Sequence, residues 1–180
     1  MIVVKQLLEH CSRAFGSRVE LYQSDEADVL IAVFPPTRRR GWWTYVTLEL
    51  FRAGSTECLM YSYKFEREMI TLLARVAAQV MRKGEQQQLR YRLAPGEVFF
   101  LESSILEASS LDFVIATPAD YEEDGFDYFT NGTEVVRFIM LHAIARSEAA
   151  FAQNHGLDAL EELFASADVD SLDFMRTPAI

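Results

Sequence analysis

Apolar residues at the start of the chain recur at helical spacing. Val4, Leu7, Leu8, Cys11 and Phe15 fall on one face of a helix over Val3–Phe15, and Gly16 offers it a stop. Arg18–Tyr22 and Asp28–Phe34 read as strands, the second nearly continuous in apolar residues and ended by Pro35-Pro36, which cannot extend a ladder. In Trp42–Phe51, Trp43, Tyr45, Thr47 and Glu49 alternate with Trp42, Thr44, Val46, Leu48 and Leu50, which predicts a half-buried strand. A short strand follows at Glu57–Tyr61. The clearest element is a helix from Lys64 to Lys83, where Phe65, Met69, Leu72, Leu73, Val76, Val80 and Met81 share a face and Lys83-Gly84 closes the run. Gln86–Leu93 is a candidate strand, Pro95-Gly96 a turn, and Val98–Leu101 and Leu111–Thr117 are strands, the latter stopped by Pro118. Phe126–Ile144 predicts a hairpin turning on Asn131-Gly132. Two short helices, Arg146–His155 and Leu157–Ala167, are separated by Gly156.

No repeat and no linker-like shift divides the chain, so the expectation is one α+β domain over residues 1–180. Its mixed or antiparallel sheet would carry the long helix packed on it and two short C-terminal helices. Half of the 180 residues are hydrophobic and 24% are charged, enough for a core without a disulfide or metal staple. The net charge of −10 disfavours nucleic acid as a partner, because such a surface repels phosphate. The acidity is uneven. Residues 1–100 hold fourteen Lys or Arg against eleven Asp or Glu, whereas residues 101–180 hold three against sixteen.

Cys11 and Cys58 suit a reducing compartment and read as small core residues. With no signal-peptide pattern and no apolar run of membrane-spanning length, the sequence predicts a soluble cytoplasmic protein without membrane association.

Catalytic patterns are missing. The sequence has no nucleophile elbow, P-loop, dinucleotide fingerprint, H-E-x-x-H or C-x-x-C, and His10, His142 and His155 lie on separate elements without ligand spacing. The expectation is a non-enzymatic protein with no cofactor and no metal. Asp120-Tyr-Glu-Glu-Asp124-Gly125 imitates the opening of a calcium loop, but Asn131 stands where the bidentate Glu belongs, and the flanks read as strands.

The same stretch has another use. Asp120, Tyr121, Glu122, Glu123, Asp124, Asp127 and Tyr128 interleave negative charge with aromatic rings beside Phe126 and Phe129, a combination suited to docking on a basic protein. The alternative is a solvated loop whose aromatics turn inward. Arg38-Arg39-Arg40 likewise reads as a solvated turn or as a contact to an acidic patch on a partner or sister subunit.

The order of motifs resembles the suppressor-of-fused-like domain. Asp28-Val-Leu-Ile-Ala-Val-Phe-Pro-Pro36, Trp42-Trp-Thr-Tyr-Val-Thr47, Cys58-Leu-Met-Tyr-Ser62 and a long helix opening Lys64-Phe-Glu66 follow that family. So do Leu111–Pro118, Thr133–Leu141, Ser147–Phe164 and the closing Asp173-Phe-Met-Arg-Thr-Pro178. Two motifs depart from it. Thr47-Leu48-Glu49 replaces a Thr-x-Gly turn, and Ala143-Ile144-Ala145 replaces Pro-Leu-Thr, which removes an N-cap but leaves Glu148 in the first turn. Gly84–Ser110 has no clear match to the family's motifs.

The resemblance implies a binding module. Eukaryotic members grip a peptide of a transcription factor, and bacterial stand-alone members look like immunity proteins that neutralise a cognate, often nuclease, toxin. A basic toxin domain is then the implied partner. An acidic secretion chaperone holding an effector segment is the alternative.

Overall fold

The helical spacing at the N-terminus forms α1 (Ile2–Phe15), and three antiparallel strands follow: β1 (Glu20–Gln23), β2 (Leu30–Phe34) and β3 (Trp43–Thr47). The short helix α2 (Phe51–Gly54) leads to β4 (Thr56–Ser62) and the long helix α3 (Glu68–Gln87). Then come β5 (Val98–Phe100), β6 (Leu111–Pro118), β7 (Tyr128–Thr130), β8 (Val135–Ala145), α4 (Arg146–His155) and α5 (Leu157–Ser166). The structure is a computed structural model that describes residues 2–87, 91–119, 122 and 125–180.

All eight strands share one mixed sheet in the order β1-β2-β3-β4-β8-β6-β5, and β7 also pairs with β8. β8 organises it. One edge of β8 runs parallel to β4, with Thr56 opposite Arg137 and Leu59 opposite Met140. Along the other edge β7 and β6 pair with it antiparallel, end to end, β7 over residues 135–137 and β6 over residues 139–145.

Strand alternation gives the sheet two apolar faces. Ile31, Tyr45, Met60, Val114 and Leu141 pack beneath Met69, Leu73, Val76 and Val80 of α3. Phe34, Val46, Leu59 and Phe138 point the other way, under Leu7, Cys11 and Phe15 of α1. Ile115 and Ile144 continue that second face beneath α4 and α5. The two cysteines are free and buried in different clusters, Cys58 with α3 and Cys11 with α1.

Five local expectations change. The strand expected to reach Phe51 ends at Thr47, because the buried Glu57 side chain accepts the Phe51 N–H at 3.1 Å through Oε1 and caps α2 instead. Gly84 does not stop α3, which runs on to Gln87. A single helical Gly costs only about 1 kcal/mol against Ala, and glutamines follow. Of the candidate strand Gln86–Leu93, residues 86 and 87 are therefore helical, residues 88–90 lie outside the described residues, and residues 91–93 form no strand. At the other end α3 begins at Glu68, so Phe65 precedes it and packs its ring on Trp43 at 5.2 Å. The β7–β8 connection spans four residues, since Asn131 Oδ1 accepts the N–H groups of Thr133 at 3.1 Å and Glu134 at 2.9 Å.

Candidate functional site

The segment after β6 carries the densest acidic cluster of the sequence. Of its expected partner-binding residues, Glu122, Asp127 and Tyr128 are described; Asp120, Tyr121, Glu123 and Asp124 lie outside the described residues. The segment is pinned at both ends by apolar side chains: Ala119, Phe126 and Phe129 are buried in the cluster under α1. Strand alternation around the buried Phe129 turns Tyr128 outward, half exposed, and Asp127 beside it is also exposed. The main chain of Asp127 is fixed, its carbonyl accepting the Phe138 N–H at 2.8 Å.

Glu122 points inward. Its side chain is 2% exposed, and both oxygens are taken by the Arg40 guanidinium at 2.8 and 2.5 Å. The Tyr61 hydroxyl donates to the same carboxylate. The guanidinium lies over the rings of Phe15 (4.7 Å), Trp42 (5.4 Å) and Tyr61 (5.5 Å). A bidentate fork walled by aromatics is the strong form of an ion pair, short and poorly solvated. Arg40 thus ties the turn after β2 to the acidic segment, while Arg38 and Arg39 remain exposed. Sequence reasoning did not separate Arg40 from its neighbours. Nothing local distinguishes it, since its partner is 82 residues away.

His10 fixes the far end of the segment. Its Nε2 lies 3.1 Å from the Phe126 carbonyl, so this nitrogen carries the proton and donates it. The ring stacks on Phe126 at 5.1 Å and on Phe138 at 5.4 Å. Burial lowers its pKa, and the neutral ring suits the aromatic stack.

A second clasp lies at the C-terminal helices. Ala145 adopts an extended conformation at the N-cap without a side-chain bond. Glu148, fully buried, accepts the Ala145 N–H at 2.8 Å and the Ala179 N–H at 2.8 Å. Arg176 forks onto the same carboxylate at 2.7 and 2.8 Å and donates to the Ala143 carbonyl at 3.2 Å. These bonds to its charged form, Arg176 foremost, outweigh burial and hold the Glu148 carboxyl below its ordinary pKa.

Burial favours the neutral form at three further side chains. Burial raises both thiols, Cys11 and Cys58, and lowers His142 to about 4. Neither cysteine is a thiolate at neutral pH, so neither is poised as a nucleophile. No group of three or more His, Cys, Asp or Glu side chains is arranged to hold a metal among the described residues. No helix among them is long and apolar enough to cross a membrane.

Comparison with solved structures matches this architecture. A structure from Neisseria gonorrhoeae FA 1090, described as a homologue of suppressor of fused, superposes with a TM-score of 0.83 at 21% identity, covering 100% of this chain and 98% of that one. A chain of a Sufu–Fu complex crystal structure gives a TM-score of 0.68 at 13% identity over 98% of this chain and 92% of its own. Drosophila Suppressor of Fused gives 0.65 at 13% identity, and there the match spans 98% of this chain but 51% of that one. No curated protein sequence matches. These likenesses establish the fold, and the sequence itself establishes the family. The family model for suppressor of fused protein matches residues 23–177, so the chain belongs to the suppressor of fused protein (SUFU) family.

Proposed function

We propose that this chain is a non-catalytic protein-binding module that binds and neutralises a basic toxin domain of nuclease type through the segment Asp120–Tyr128. The observation that carries the reading is the charge asymmetry, with three basic against sixteen acidic residues over positions 101–180. A nuclease needs a basic groove for phosphate, and an acidic surface is its physical complement. The segment's tethering supports the same reading. Arg40 and Glu122 hold it from within, so the outward Asp127 and Tyr128 are presented on a braced support, which lowers the entropy lost on binding. The family is one of protein-binding regulators, and one similar structure is a Sufu–Fu complex.

The test is affinity purification of the full chain from its native cell, followed by activity assays on what co-purifies. The expected result is a folded, basic protein whose nuclease activity falls as this chain is added in stoichiometric amount. An unfolded effector segment bound to a homodimer of this chain would instead establish the secretion-chaperone reading. A partner with unaltered activity would refute neutralisation.

A further inference from the structure

At the amino ends of the parallel strands β4 and β8, a cleft of about 300 Å³ is lined by Gly54, Ser55, Arg92, Val135 and Arg137. Main-chain contacts fix where both arginines sit. A Cβ on Gly54 would collide with the Tyr91 carbonyl oxygen, so the chain leading into Arg92 lies directly on the end of α2. The next residue, Ser55, accepts the Arg137 N–H on its carbonyl at 3.0 Å. Successive residues thus seat the two segments that carry the guanidinium groups.

Arg137 differs from the other cations of this fold. Among the described residues, five Lys or Arg are partly buried: Arg40, Arg75, Lys83, Arg137 and Arg176. Four of them pair with a carboxylate, supplied by Glu122, Glu26, Glu97 and Glu148 in turn. Arg137 has no ion pair and no side-chain hydrogen bond among the described residues, and neither has the exposed Arg92. The described lining of the cleft holds no Asp or Glu, and Glu134, next to Val135 in the chain, has an interaction of its own. Partial burial strips water from a guanidinium, and two of them lining one cleft repel each other. An anion between them corrects both.

The charge count selects the anion. A carboxylate balances one guanidinium, whereas a phosphoryl group carries close to two negative charges at neutral pH and offers three oxygens to the two forks. The volume lies at the small end of the ~300–1,000 Å³ range of ligand sites, enough for that group and a few atoms of its carrier. Val135, more than half exposed, gives those atoms an apolar rim. A nucleic acid does not suit the site. The net charge of −10 repels a polyanion, while two local cations still hold one small dianion.

We infer that this cleft binds a phosphoryl group, as inorganic phosphate or as the monoester of a small molecule. The inference is independent of the proposed toxin binding.

The test titrates inorganic phosphate, glycerol phosphate and acetate into the full chain at neutral pH and constant ionic strength, while NMR follows the arginine Cζ resonances. The expected result is a saturable shift at Arg92 and Arg137 with millimolar phosphate, without one at the exposed Arg38 and Arg39. Acetate should bind about fivefold more weakly or worse, and Arg137→Met and Arg92→Met should each cost about tenfold or more in phosphate affinity. Arg92→Met changes an exposed side chain and decides the matter if Arg137→Met does not fold. Glycerol phosphate binding as tightly as phosphate, or tighter, assigns a monoester as the ligand, and binding by phosphate alone assigns the free ion. Acetate binding as tightly as phosphate, equal shifts at Arg38 and Arg39, or full affinity in Arg92→Met overturns the inference.

Discussion

Glu57 offers a direct test of how burial sets charge in this fold. Its side chain is fully buried on β4, and its partners are the Thr47 hydroxyl and the N–H groups of Leu50 and Phe51. Burial raises its pKa from the ordinary 4.5 to about 8, outweighing those hydrogen bonds. The unfolded chain releases this proton near pH 4.5, while the folded chain keeps it to about 8. The folded state therefore binds more protons across that window, and stability falls as pH rises through it. At about 1.4 kcal/mol per pH unit, the loss over the window is on the order of 4–5 kcal/mol.

Glu57→Gln removes the titration while keeping an acceptor for the Phe51 N–H. The assay is urea unfolding of wild type and variant at a series of pH values. The readout is the difference between them, because His142 acts oppositely: held neutral to about pH 4, it withdraws stability as pH falls below its ordinary 6.5. The advantage of wild type over the variant should shrink by several kcal/mol between pH 4.5 and about 8. Parallel curves would show that Glu57 is ionised in the folded protein and that the three donors outweigh burial.

Further outcomes are expected elsewhere. Arg176→Met leaves the buried Glu148 carboxylate without its cation and should cost about 3–5 kcal/mol in urea unfolding. Arg40→Met should speed hydrogen exchange at Phe126 and Phe129 far more than in α3, since it frees one tether of that segment; uniform acceleration would contradict a local role. Leu72→Ala, on the buried face of α3, should lower stability by roughly 2–5 kcal/mol through the cavity it opens. Against a captured basic partner, Glu123→Gln, Asp124→Asn and Asp127→Asn together should slow association, most at low salt. Tyr128→Ala should speed dissociation by ~2 kcal/mol, as stopped-flow rates would show.

Elements governed by periodic burial were legible in the sequence. α1, α3, β2 and β6 each repeat apolar residues at the spacing their packing demands, and the structure places them within a few residues of expectation. Local reading failed where a distant group decided the outcome. The cap on α2 comes from Glu57 across the following turn, and the short turn expected at Asn131-Gly132 is lengthened by the Asn131 side chain. At the candidate site, composition located the segment but not its orientation. Glu122 and Asp127 are both carboxylates of one acidic run, yet one faces Arg40 and the other faces outward. That distinction depends on the turn after β2 folding against β4, which no short-range pattern encodes.

The parallel pairing of β4 with β8 has a kinetic consequence. β1 to β4 follow one another as neighbours and can assemble from nearby contacts, whereas Thr56 meets Arg137 across 81 residues of chain. Closing so large a loop forfeits chain entropy before any of the seam's contacts reward it. The two halves of the sheet are therefore free to organise early, and their joining along this seam limits the rate. Until it closes, each half exposes an unpaired apolar edge, and the ribbon ending in β4 is the surface on which two unfinished copies would exchange strands.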